Sequence, residues 1–164
     1  MCGKFTQMAS WSEVVAFSQL IPHPSDVPVV STPMRLAHVV HLDGEGLRRV
    51  SPMRWGFTDR RSGRETPRHM HARSETIAQT PTFAAHFRRR RGVAFVQTFN
   101  EGEEVGEGRR RRTRQWTVRR VDGTPFALAV IWAGPEREGL APAFVQATTA
   151  ANALIASITD RMPA

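Results

Sequence analysis

The chain has 164 residues, one domain's worth, and carries a formal charge of +8; of its 23 basic residues only Lys4 is not arginine. A single cysteine, Cys2, excludes an internal disulfide framework and fits a reducing cytosol. No apolar run reaches the ~18 residues of a membrane span and no signal-peptide pattern opens the chain, which points away from membrane insertion and export.

Ser10-Trp11-Ser12-Glu13 reads as a capping box and predicts a short helix burying Val14, Val15 and Phe17. Pro22, Pro24 and Pro28 then impose an extended connection. Residues 36–42 and 47–55 are β-prone and flank Asp43-Gly44-Glu45-Gly46, the pattern of a hairpin. Residues 59–70 read as a polar loop. Thr80-Pro81 starts a second helix with Phe83 and Phe87 one turn apart on one face. Residues 92–99 are strand-like. Residues 101–114 hold four Glu, three Gly and a run of arginines with almost nothing apolar, and read as a surface loop. Residues 115–121 and 124–132, joined by Asp122-Gly123, predict a second hairpin. Residues 143–148 form another strand, and 149–158 look helical. There is no internal repeat and no domain boundary. The class is α+β, a compact β-rich core of mostly antiparallel strands with a few short helices.

Chemistry enters at the second residue. With Met1 removed, Cys2 presents a free α-amine and a thiol on adjacent carbons. The amine condenses with an aldehyde and the thiol closes on the imine to give a five-membered thiazolidine. The two groups titrate near ~8 and ~8.5, so modest tuning makes both nucleophilic at neutral pH. The charge favours a polyanion, because the guanidinium fork matches phosphate. An arginine-biased composition with a solvated surface would look the same.

Six pieces then line up in one order: Met1-Cys2-Gly3-Lys4-Phe5, Met53-Arg54-Trp55-Gly56-Phe57, His71-Ala72-Arg73-Ser74-Glu75-Thr76 with Pro81-Thr82-Phe83, the segment 91–101, Pro125-Phe126-Ala127 with Trp132, and Asp160-Arg161-Met162-Pro163. In this order they resemble the SRAP family, the SOS response-associated peptidases, which cross-link themselves to abasic sites in single-stranded DNA. The likeness spans essentially the whole chain and implies a single SRAP-like domain over residues 1–164, with family members continuing past the Arg-Met-Pro. It also implies a bacterial cytoplasmic protein that joins the nucleoid on DNA damage and works as a monomer without cofactor, metal or membrane.

By position the resemblance makes Cys2 the nucleophile that captures the open-chain sugar aldehyde. Glu101 falls where the family keeps a glutamate beside the terminal amine, to hold the ammonium and shuttle protons; a solvated loop acid is the alternative. Arg73 and Lys4 become phosphate contacts, or plain surface charges, and Arg161 joins the DNA-binding set. Trp55 either stacks on a base or sits in the core. Against the family pattern, His71 replaces an asparagine and Thr159 a histidine assigned to proton transfer, and threonine cannot titrate near neutral pH. His71 is the candidate to stand in for that histidine. Further departures are Phe95-Val96-Gln97-Thr98 for Pro-Ala-Asp-Gly, Gly102 for an aromatic, and Lys4 for arginine.

Two other functions stay open. An SRAP-like module could bind single-stranded DNA through Arg73, Lys4 and the arginine runs without bonding to it. An N-terminal-nucleophile glutamine amidotransferase also begins Met-Cys-Gly, but its Asn-Gly oxyanion motif is not found here. The runs 88–91 and 109–112 read either as charge clusters, neutralised by a helix end or by Glu103, Glu104 and Glu107, or as DNA-tracking patches. His69 and His71 form a lone His-x-His without a third ligand at metal spacing.

Overall fold

Asp43 organises the turn that starts the main sheet. Its N–H donates to Leu47 O at 2.9 Å, and its carboxylate Oδ1 accepts the N–H groups of Glu45 and Leu47, both at 2.9 Å. Gly46 supplies the left-handed residue at φ +78°. The flanking segments are β3 (Leu36–Leu42) and β4 (Arg48–Trp55), paired antiparallel from Leu36↔Arg54 to Leu42↔Arg48, as the sequence predicts. The computed structural model describes residues 3–7, 29–58, 67–136 and 138–164. Cys2, the predicted first helix and the proline-rich connection lie outside the described residues, as does most of the expected 59–70 loop, of which the described residues 67–69 are strand instead.

The remaining strands are β1 (Lys4–Gln7), β2 (Val29–Ser31), β5 (Phe57–Thr58), β6 (Pro67–His69), β7 (His71–Arg73), β8 (Arg91–Val96), β9 (Thr98–Val105), β10 (Arg112–Arg119), β11 (Phe126–Ala133), β12 (Ala143–Ala150) and β13 (Arg161–Pro163). Strands β11, β8, β3, β4 and β12 follow one another, and β12 pairs back onto β11, so the ladder closes on itself. Pairing is antiparallel except where β12 runs parallel to β4 and to β7. A separate four-stranded sheet, β10-β9-β1-β2, covers one side. Gly92 lets β8 approach β3: a Cβ there would stand 2.7 Å from Val40 O.

Period-two alternation divides the core. Val39, Met53, Trp55, Ala94, Val96, Leu128, Val130 and Phe144 form one buried cluster with Phe5 and Phe99 of the covering sheet. The opposite face of β11 and β12, with Ile131, Ala143, Val145 and Ala147, packs on Phe57, Ala72, Ile77 and Phe83. Phe83 belongs to α1 (Pro81–Arg89), which begins with Pro81 in its first turn and ends in Arg88 and Arg89, cations suited to the helix's negative end. Both faces of β12 are therefore buried. Gln7 ties the covering sheet to the ring by donating to His38 O and Phe95 O and accepting from His38 N, at 2.9–3.0 Å.

Four further local expectations are corrected. Residues 92–99 do not make one strand: the chain breaks at Gln97, with β8 in the ring and β9 in the covering sheet. The Asp122-Gly123 turn exists, with Gly123 at φ +70°, but it joins β10 to β11, which lie in different sheets rather than in one hairpin. Residues 149–158 form the end of β12 and a short 3-10 turn at Ile155–Ser157 instead of a helix. The supposed loop 101–114 is mostly strand, because β9 and β10 pair in register from Thr98↔Arg119 to Val105↔Arg112. The α+β class with antiparallel strands dominant stands.

Candidate functional site

That last correction moves Glu101 from solvent to the interior. On β9, Phe99 and Glu101 leave the same face, and both are buried, Glu101 with no exposed surface at all. Neighbours Gly102, Glu103 and Glu104 remain partly or fully exposed. Strand β1 pairs with β9 at Phe5↔Phe99 and Lys4↔Asn100. Glu101 follows Asn100 on β9, one residue beyond the last pair with β1. Lys4 is exposed at the start of β1.

On the ring, β12 is the spine that gathers the other candidates. Its Gln146 and Thr148 are buried, on the same face as Phe144. Parallel strand β7 sets His71 beside Gln146 and Arg73 beside Thr148. His71 is half-buried, its ring 5.8 Å from Trp55 and edge-on at 87°. Arg73 is exposed. From the other edge, β13 pairs Arg161 with Ala150. Arg161 reaches back with Nη2 donating to Thr148 O at 2.8 Å and Oγ1 at 3.3 Å. Thr148 O also accepts Ser74 N at 2.8 Å. Half-buried Thr159 donates its backbone N–H to Ile155 O at 3.0 Å, and its hydroxyl lies 3.5 Å from Asp160 Oδ1.

Trp55 is a core residue, not a base platform. It has no exposed surface, stacks on Phe144 at 6.2 Å and 11°, lies 4.9 Å from Phe5, and donates its indole N–H to Met70 O at 3.0 Å. A ring enclosed on both faces cannot receive a base. Arg161, named above in the DNA-binding set, has its guanidinium bonded to Glu75 through Nη1 at 2.7 Å and Nη2 at 2.8 Å. Two residues that the sequence did not single out lie beside the candidates, Gln146 next to His71 and Trp116 across from Glu101. Trp116 stands opposite Glu101 on β10 and is 42% exposed. Only the strand pairing reveals it; residue type alone gave no signal.

The arginine runs are partly absorbed locally. Arg111 pairs with Glu104 at 2.9 Å and Arg114 with Glu103 at 3.5 Å. Arg90 lies over Trp132 and Arg91 over Phe87. His69 and His71 part company, His69 edge-on to Phe83 at 5.5 Å in the outer cluster and His71 against Trp55. Among the described residues no three His, Cys, Asp or Glu side chains gather as a metal site. Among them, too, no helix is long and apolar enough to cross a membrane.

A ring of strands covered by a second sheet, with a buried glutamate beside the N-terminal strand, defines the class of protein. A sequence model of the SOS response associated peptidase (SRAP) family matches residues 1–164, and the chain belongs to that family, whose name ties it to the response to DNA damage. Among solved structures it is similar to a phage-related protein from Bordetella bronchiseptica, with TM-score 0.77 and 16% identity over 99% of this chain and 76% of that one. A second Bordetella bronchiseptica protein gives TM-score 0.76 and 18% identity, covering 99% of this chain and 82% of that one. A Bacteroides thetaiotaomicron protein gives 0.75 and 18%, over 99% of this chain and 76% of that one. At these identities the likeness is one of fold. No curated protein matches the chain.

Proposed function

We propose that this chain captures abasic sites in single-stranded DNA through Cys2 once Met1 is removed, acting as a single-domain cytoplasmic monomer without metal or cofactor. The observation that carries the reading is Glu101, a carboxylate with no exposed surface on the strand flanking the N-terminal segment. Acidic side chains are almost never fully buried unless they are paired or at work. Family membership supports the same reading.

The chemistry balances without a co-reactant. The Cys2 amine adds to the sugar aldehyde and water leaves, forming an imine. The thiolate then adds to the imine carbon and nitrogen takes up a proton, which closes the thiazolidine. Glu101 accepts the ammonium proton and returns one to the departing hydroxyl, a role general acid–base groups fill with rate effects of about 10²–10⁴. Exposed Arg73 and Lys4 hold the flanking phosphates.

The test mixes Met1-processed protein with single-stranded DNA bearing one abasic site and resolves the products on a denaturing gel. A shifted band absent from Cys2→Ala, and slowed about 10²-fold in Glu101→Gln, is the expected result. If wild type gives no band, the capture reading fails. Salt-sensitive binding without a band would identify the reversible DNA-binding module instead.

A further inference from the structure

Trp116 has no part in the chemistry above, yet it is the cross-strand partner of Glu101. Paired side chains in an antiparallel ladder leave the same face of the sheet. Here one is fully buried and the other 42% exposed at the rim, because β10 is the edge strand. The indole N–H donates to Glu103 Oε2 at 2.8 Å, and the same oxygen lies 3.5 Å from Arg114 Nη1. Trp116 is thus held by its edge.

Beside it opens a cleft of about 490 Å³, within the range of about 300–1,000 Å³ of small-molecule sites. Trp116 and Val118 form one wall, and Leu154, Ile155 and Ile158 the other. The second wall ends one residue before Thr159. The cleft therefore lies between the neighbour of Glu101 and the turn that carries Thr159. Leu154 is 71% exposed, so two large apolar groups remain in water around one opening. Arg119 lines the cleft, and exposed Arg112 sits further along the same strand.

An aromatic wall with arginines along its strand, in a chain of charge +8, is the chemistry that receives a nucleobase of a single strand. We propose that this cleft takes the base next to the abasic sugar, stacked against Trp116. The inference rests on abasic single-stranded DNA being the substrate. It adds that the enzyme feels the identity of one neighbouring base, purines holding better than pyrimidines because they offer the larger ring face.

Binding is measured apart from chemistry by using Cys2→Ala protein and oligonucleotides carrying a tetrahydrofuran abasic analogue. The base on the 5′ or the 3′ side is then removed in turn, and affinity is read by fluorescence anisotropy. Removing the base on one side should weaken binding at least about five-fold, the lower end of what base–aromatic stacking contributes. The same removal should have little effect in Trp116→Ala, while Trp116→Phe keeps most of the difference. Equal losses in the Trp116 and Trp116→Ala proteins overturn the proposal. If Trp116→Ala loses its cooperative melt, Leu154→Glu at the exposed rim replaces it, and the flank-dependent difference must again shrink. A Cys2-dependent covalent band with no Trp116 effect would remove the base site and leave the capture chemistry standing. The reverse pattern would remove the chemistry and leave the base site.

Discussion

Arg161 grips Glu75 with two parallel bonds, Nη1 to Oε1 at 2.7 Å and Nη2 to Oε2 at 2.8 Å, and uses Nη2 again on Thr148. Residues 86 positions apart are joined this way, so the fork ties β13 to the segment that follows β7. Thr148 is held between them.

The pair gives the fold an acid dependence. The Arg161 hydrogen bonds hold the Glu75 carboxyl down at about 2, against an ordinary value of 4.5. A depressed carboxylate stabilises the fold fully above its unfolded value and loses that contribution as pH falls through the folded one. Thermal midpoints of wild type should therefore decline between about pH 4.5 and about 2. In Glu75→Gln that part of the decline should be absent. The effect is modest, because Glu75 is half-exposed and solvent screens the pair. Parallel pH profiles for the two proteins would show that the bridge adds nothing.

Trp55 tests core against surface. Truncating a fully buried tryptophan costs about 3–5 kcal/mol, and Trp55→Ala should lose that much in urea denaturation. Trp55→Phe keeps most of the packing but leaves Met70 O without its donor, and should be milder. Neither change should alter DNA affinity per folded molecule. Weaker DNA binding by a Trp55→Phe protein that melts normally would show that the ring does reach the nucleic acid.

Gln146 is buried without exposed surface, and both atoms of its amide lack partners among the described residues. An unsatisfied buried polar group costs about 1–3 kcal/mol. Gln146→Leu, close in volume, should recover that amount as added stability. Because Gln146 sits beside His71 and on the face of Thr148, the same substitution should also slow cross-linking. Unchanged stability would mean that an ordered water pairs the amide.

The fold was legible where local chemistry decides it. The β3–β4 hairpin follows from Asp43 and Gly46, and α1 from Pro81 with Phe83 and Phe87. It was illegible where distant contacts decide. Segment 101–114 is as polar as a loop, because only Glu101 points fully inward and the outer residues of an edge hairpin need no apolar face. Extended segments on either side of Gln97 and Asp122-Gly123 gave no sign that they part into different sheets. Glu101 was found in the sequence only through the family's order of motifs. Trp116 and Gln146 became visible with the strand pairing.

Under the proposed function, His71 and Thr159 predict altered reversal. Thr159 can neither donate nor accept a proton usefully near neutral pH, and its hydroxyl points toward Asp160. His71 is the titratable ring on β7, half-buried and edge-on to Trp55, beside Gln146. Thiazolidine opening needs a proton delivered to the sulfur or the ring nitrogen. With Thr159 in place, a preformed cross-link should release slowly. Thr159→His should speed release several-fold, with a rate that rises as pH falls through the histidine range. His71→Ala should slow formation or release by a similar factor. Release is followed on a denaturing gel after transfer to excess competitor aldehyde. Equal release from wild type and Thr159→His would show that position 159 plays no part in opening the ring. Unchanged rates in His71→Ala would leave Glu101 as the proton carrier of the site.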